Sequence, residues 1–86
     1  MKNVKHYSRY IEVLAIKFTG DNMREVISFL GESFRGYHFS DDNDVIGINM
    51  VNKRHADTIR IGDYAVKNTS NECSKYNGID FERDFF

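Results

Sequence analysis

The side chains with chemical potential are few and fall into separate groups. Lys53, Arg54 and His55 stand in a row, and Arg60 follows five residues later. If 52–57 is a hairpin tip, these side chains converge on an anion such as a nucleotide phosphate. Arginine supplies bidentate contacts there and lysine a point charge, while Tyr37, Tyr64 or Phe39 can stack on a base. The competing reading is a solvated turn that binds nothing. His38 with Asp41, Asp42 and Asp44 forms a second group, and clustered carboxylates suit hard cations. Asp42-x-Asp44-x-x-Gly47 begins like a calcium loop, but Ile46 occupies the fifth loop position and Lys53 the twelfth, where glutamate is needed. A solvated acidic turn is therefore preferred, and no metal site is expected. The three histidines, His6, His38 and His55, lack the close spacing that directs two imidazoles to one ion.

Cys73 is the sole cysteine. It cannot form an intrachain disulfide, and no flanking motif activates its thiol as a nucleophile. The chain has no Gly-x-Ser-x-Gly, no His-Glu-x-x-His and no phosphate-cradling glycine loop. The expectation is a protein with no catalytic residues and no cofactor, acting by binding.

Composition narrows the partners. The net charge of −1 is neither the basic balance of a general nucleic-acid binder nor the strong acidity of a DNA mimic. It permits self-association by removing repulsion between copies, and a homo-oligomer is expected. An 86-residue chain is one domain, 1–86, and such a domain buries only ~60–65% of its unfolded surface. A sizeable ligand would lie on the surface or between subunits. A lone thiol fits a reducing cytoplasm. Met1-Lys2-Asn3-Val4-Lys5-His6 has no signal-like apolar core, and the longest apolar run, Val13–Ile16, is far too short to span a bilayer. No membrane partner is expected.

The elements that must position these groups follow from hydrophobic periodicity. Residues 10–18 read as a central strand, with Leu14, Ile16 and Phe18 on one face and Ile11, Val13 and Ala15 on the other. Asn22 with Glu25 resembles a capping box. Met23, Val26, Ile27 and Leu30 then make a helical stripe over 22–30, which Gly31 ends. Short strands are predicted over 34–39, 45–51, 58–61, 64–67 and 72–76, separated by polar turns at 40–44, 52–55, 62–63 and 68–71. Phe81 and Phe85, four apart, suggest a closing helical turn. This order predicts an α+β fold, one helix packed on a mostly antiparallel sheet of about four to six short strands. The terminal Phe85-Phe86 either packs under its own sheet or docks in a partner.

Two segments resemble a family of small, mostly uncharacterised bacteriophage and prophage proteins. Ile11 to Asn22, ending Phe18-Thr19-Gly20-Asp21-Asn22, is similar to the family's opening strand and helix start, and Glu25-Val26 and Phe29-Leu30-Gly31 continue it. Gly62-Asp63-Tyr64-Ala65-Val66-Lys67 resembles its second turn and strand, with Glu72 and Phe81-Glu82 at matching spacing. The family's two prolines are replaced here by Ile61 and Gly78. The resemblance implies a phage or prophage origin, an α+β fold and no catalytic residue to carry over. Together with the residues, it leads to the expectation of a non-enzymatic accessory protein in the host cytoplasm that antagonises host defence. The first mechanism is sequestration of a small anionic, cyclic-type nucleotide at a subunit boundary by Lys53, Arg54, His55, Arg60, Tyr37 and Tyr64. The alternatives are blocking of a host protein by a sheet edge or aromatic patch, and a minor virion or structural role.

Overall fold

The computed structural model of the chain describes residues 4–7 and 13–86, with 5–7 described by their backbone. Tyr10, Ile11 and Glu12, the first part of the expected opening strand, lie outside the described residues, as does the side chain of His6. In chain order the elements are β1 (Lys5–Tyr7), β2 (Val13–Lys17), α1 (Met23–Leu30) with a 3₁₀ turn (Gly31–Ser33), β3 (Phe34–Phe39), β4 (Val45–Val51), β5 (Ala56–Arg60), β6 (Tyr64–Lys67), β7 (Cys73–Tyr76) and α2 (Gly78–Phe85).

The architecture is α+β, but the strands divide into two antiparallel sheets, β1-β2-β6-β7 and β3-β4-β5, where a single sheet was expected. There are two helices among the described residues rather than one. The reason lies in β2 and β6, which are apolar on both faces. Ile16 and Ala65 face one way, into a core with Val26, Phe29 and Leu30 of α1 and Ile48, Met50 and Ile59 of the second sheet. Val13, Ala15, Tyr64 and Val66 face the other way, into a second core closed by Phe81 of α2. The first sheet is thus a middle layer, and each of its faces needs its own cover. The tail forms a full two-turn helix because Phe81, with no exposed surface, can be buried only by lying across that second face.

Local chemistry fixes the joints. Asn22 begins α1, but its side chain makes no capping bond to the helix. Its amide turns back, accepting from Thr19 N at 3.0 Å and donating to Lys17 O at 2.7 Å. The capping box is therefore not formed. A buried amide needs partners for both its NH₂ group and its carbonyl oxygen, and the backbone at the end of β2 supplies one to each. At Gly62-Asp63 a β-turn closes with Asp63 N donating to Arg60 O, and Gly62 takes φ +98°, open to glycine without strain. Gly62 N and Phe18 O, and Phe18 N and Asp63 O, extend the β2–β6 pairing past the turn. The strand expected over 58–61 starts two residues earlier and stops at Arg60, because residues 61–63 are taken by this turn.

Each of the three hairpin turns among the described residues, β3–β4, β4–β5 and β6–β7, is opened by a polar side chain. Ser40 Oγ accepts from Asp44 N, and Asn68 Oδ1 accepts from Ser70 N and Glu72 N. Asn52 Oδ1 accepts from Arg54 N and His55 N. Asn52 also donates from Nδ2 to Cys73 O at 3.0 Å, which ties the tip of the second sheet to the edge of the first.

Candidate functional site

The six residues expected to form one ligand site occupy three separate places. Lys53, Arg54 and His55 sit on the β4–β5 turn, all exposed. The four hydrogen bonds made by Asn52, three of them with the backbone of Arg54 and His55, hold that turn in one shape. None of the three side chains makes an ion pair with a described residue. Arg60 does not join them. The pairing of Val51 with Ala56 and Gly47 with Arg60 puts Arg60 about 13 Å along β5 from the turn, at ~3.3 Å per residue. Extension of the strand separates these residues, so the expected convergence with Arg60 is corrected.

Tyr64 is also removed from any such site. It is 4% exposed and stacks on Phe81 at 4.1 Å between centroids. Its hydroxyl donates to Glu82 Oε2 at 2.9 Å. Lys17 Nζ reaches the same oxygen at 3.0 Å, and these hydrogen bonds, that of Lys17 foremost, hold the Glu82 carboxyl below its ordinary value. The three side chains fasten α2 to β2 and β6. A ring already stacked within the core cannot stack on a base.

Tyr37 belongs to a third place. Phe34 and Tyr37 lie on the same side of β3 although three residues apart, because the register against β4 slips between them, where Gly36 takes φ +101°. The rings of Phe34, Tyr37 and Phe39 follow one another edge to face at 5.6 and 6.3 Å. Phe34 packs on the first core, whereas Tyr37 is 41% and Phe39 54% exposed. Directly beyond Phe39 is the acidic turn. Asp41, Asp42 and Asp44 are all exposed there, and none is ion-paired with a described residue. Sequence reasoning noted Tyr37 and Phe39 only as base-stacking partners; their alignment depends on the bulge, which residue types alone do not locate.

The other reactive groups are dispersed. Cys73 is 3% exposed, with its sulfur 3.9 Å from Leu30 O. His38 lies opposite Gly47 on the outer side of the second sheet. Among the described residues no three His, Cys, Asp or Glu side chains gather as metal ligands would, and no helix is long and apolar enough to cross a membrane. A shallow groove of about 330 Å³ runs between the Gly62 turn and the start of α2, bordered by Lys17, Ile61, Gly78, Ile79 and Glu82. Its charged groups are already engaged, Lys17 with Glu82 and Asp63 with Lys75 and the Arg60 amide, which leaves it little with which to hold a polar ligand.

No protein-family profile, curated protein or solved structure matches the chain.

Proposed function

We propose that this chain is a non-enzymatic accessory protein of phage or prophage origin that antagonises host defence by binding and blocking a host protein, with the flank of β3 as its contact surface. The observation that carries the reading is the aromatic row, in which Phe34 anchors in the core while Tyr37 and Phe39 stand exposed beside the acidic turn. Aromatic side chains rooted in this way offer large contact area at low conformational cost, the property of interface anchors. The neighbouring carboxylates favour a partner segment that is apolar and basic. Affinity capture from host lysate, followed by calorimetry with the purified partner, tests it. A partner should be lost by Tyr37→Ala/Phe39→Ala and retained by Lys53→Ala/Arg54→Ala. Equal capture by both variants overturns the assignment.

A second reading, sequestration of a small anionic nucleotide, is favoured by one observation: the two cationic side chains and the imidazole on a turn whose shape Asn52 sets. The three side chains stand exposed on one copy, so the site would need a subunit boundary. Calorimetric titration with cyclic di- and trinucleotides and ADP-ribose derivatives should show binding that Lys53→Ala/Arg54→Ala abolishes, and no heat from any of them removes this reading.

A further inference from the structure

The second sheet carries opposite charges at its two ends. Asp41, Asp42 and Asp44 lie on the β3–β4 turn, and Lys53 and Arg54, with the imidazole of His55, lie on the β4–β5 turn. The strand between them is β4, Val45–Val51, with Ile48 at its centre. The acidic turn ends four residues before Ile48, at Asp44, and the basic turn begins four residues after it, at Asn52. Tyr37 pairs with Ile48, so the exposed ring stands level with the midpoint between the two charges.

From this arrangement we infer that a second copy of the chain docks antiparallel along the β3 flank, the acidic turn of each copy against the basic turn of the other. A two-fold axis at the level of Tyr37 matches both pairs of turns at once, because the turns are equidistant from it. A single symmetry operation therefore satisfies the charges at both ends and covers Tyr37 and Phe39 of both copies, which is what a closed, isologous contact requires. Arg35 and Glu32, beside the basic end, add one charge of each sign, and Arg60, exposed opposite Gly47 toward the acidic end on the strand farthest from β3, leaves that end with three carboxylates against one guanidinium. Pairing is through side chains and not through a shared strand ladder. The register slips twice along β3, and such bulges spoil an edge for strand addition. The contact rests on two exposed rings and on pairs of exposed charges that salt screens, so the association is weak, reversible and sensitive to salt.

The inference rests on the proposed function in that it names the occupant of the same surface in the free protein. The basic turn of a second copy stands where the basic segment of a host partner would, and the partner must displace it.

Analytical ultracentrifugation of the full chain tests the inference. A monomer–dimer equilibrium is expected at about 20 mM salt, weakened at least tenfold at about 0.5 M, where the screening length falls to a few ångströms. Asp41→Lys/Asp42→Lys and Lys53→Glu/Arg54→Glu should each be monomeric, since each sets like charges against like at both ends. Mixed in equal amounts, the two variants should pair again, because both boundaries then join opposite charges. Circular dichroism of each variant alone establishes that it is folded. A wild type that stays monomeric at low salt, or a mixture that does not pair, overturns the inference. Neither result touches host-protein capture by Tyr37 and Phe39, so the two failures are distinguishable.

Discussion

Replacing Phe81 by alanine tests whether α2 is a structural half of the protein or an ornament on it. Phe81 has no exposed surface and lies between Tyr64 at 4.1 Å and Phe85 at 4.6 Å, with Tyr76 edge-on at 5.8 Å. An aromatic side chain buries roughly 150–250 Å². Truncation to the β-carbon removes most of that, about 3–5 kcal/mol at ~25 cal/mol per Å², which agrees with the loss of about 3–5 kcal/mol usual for a buried Phe→Ala with its cavity. A domain of this length has about 4–13 kcal/mol in all, at ~0.05–0.15 kcal/mol per residue. Phe81→Ala should therefore leave the fold marginal or undo it. Phe81→Leu, which keeps most of the volume and loses the stacking, should cost about 1.5 kcal/mol. Urea unfolding followed by tyrosine fluorescence and far-ultraviolet circular dichroism measures both, with amide exchange reporting on α2 separately. A loss below about 1.5 kcal/mol for Phe81→Ala, or α2 amides that exchange freely in the wild type, would refute the two-core description.

Other consequences are as direct. Gly78→Ala should destabilise by about 2–4 kcal/mol, because the added carbon would run into the carbonyl oxygen of Gly62, which is backbone and cannot swing aside; a thermal melt checks it. Asn52→Ala should cost about 1–2 kcal/mol in urea unfolding, since it frees three backbone partners at the joint of the sheets. Glu82 has its carboxyl held low in the fold by Lys17 and then Tyr64, so its charge stabilises the protein above the ordinary carboxylate range. That contribution is lost as pH falls through the lowered value, and Glu82→Gln should show a shallower loss of stability on acidification. Tyr37→Ala/Phe39→Ala should change stability by less than ~1 kcal/mol, both rings being exposed. Its effect belongs to binding, and a large drop in melting temperature would reassign the row to the core.

The dispersal of the expected site has a structural logic. Tyr64 belongs to the Gly-Asp-Tyr segment, and the turn at Gly62-Asp63 delivers it directly onto the middle sheet. Arg60 ends the strand that the same turn interrupts. The basic turn and the aromatic row remain exposed because no element of the described chain lies over them.

Local pattern determined much of this protein in advance. The stripe of Val26, Ile27 and Leu30 specified α1, alternation specified β4 through Ile48 and Met50, and Gly31, Gly62 and the Asn-rich turns set where elements end. These are short-range effects, readable from neighbours in sequence. Tertiary structure alone decided the rest. Apolar residues on both faces of β2 and β6 announced burial on both sides but not what would cover each, and the answer was α1 with a second sheet on one face and α2 on the other. The bulges that align Phe34, Tyr37 and Phe39 arise from the register of β3 against β4. The separation of Arg60 from Lys53 arises from strand extension. The absence of catalytic motifs was a matter of residue types, whereas the surface that remains for binding was settled by which side chains the two cores had no room to bury.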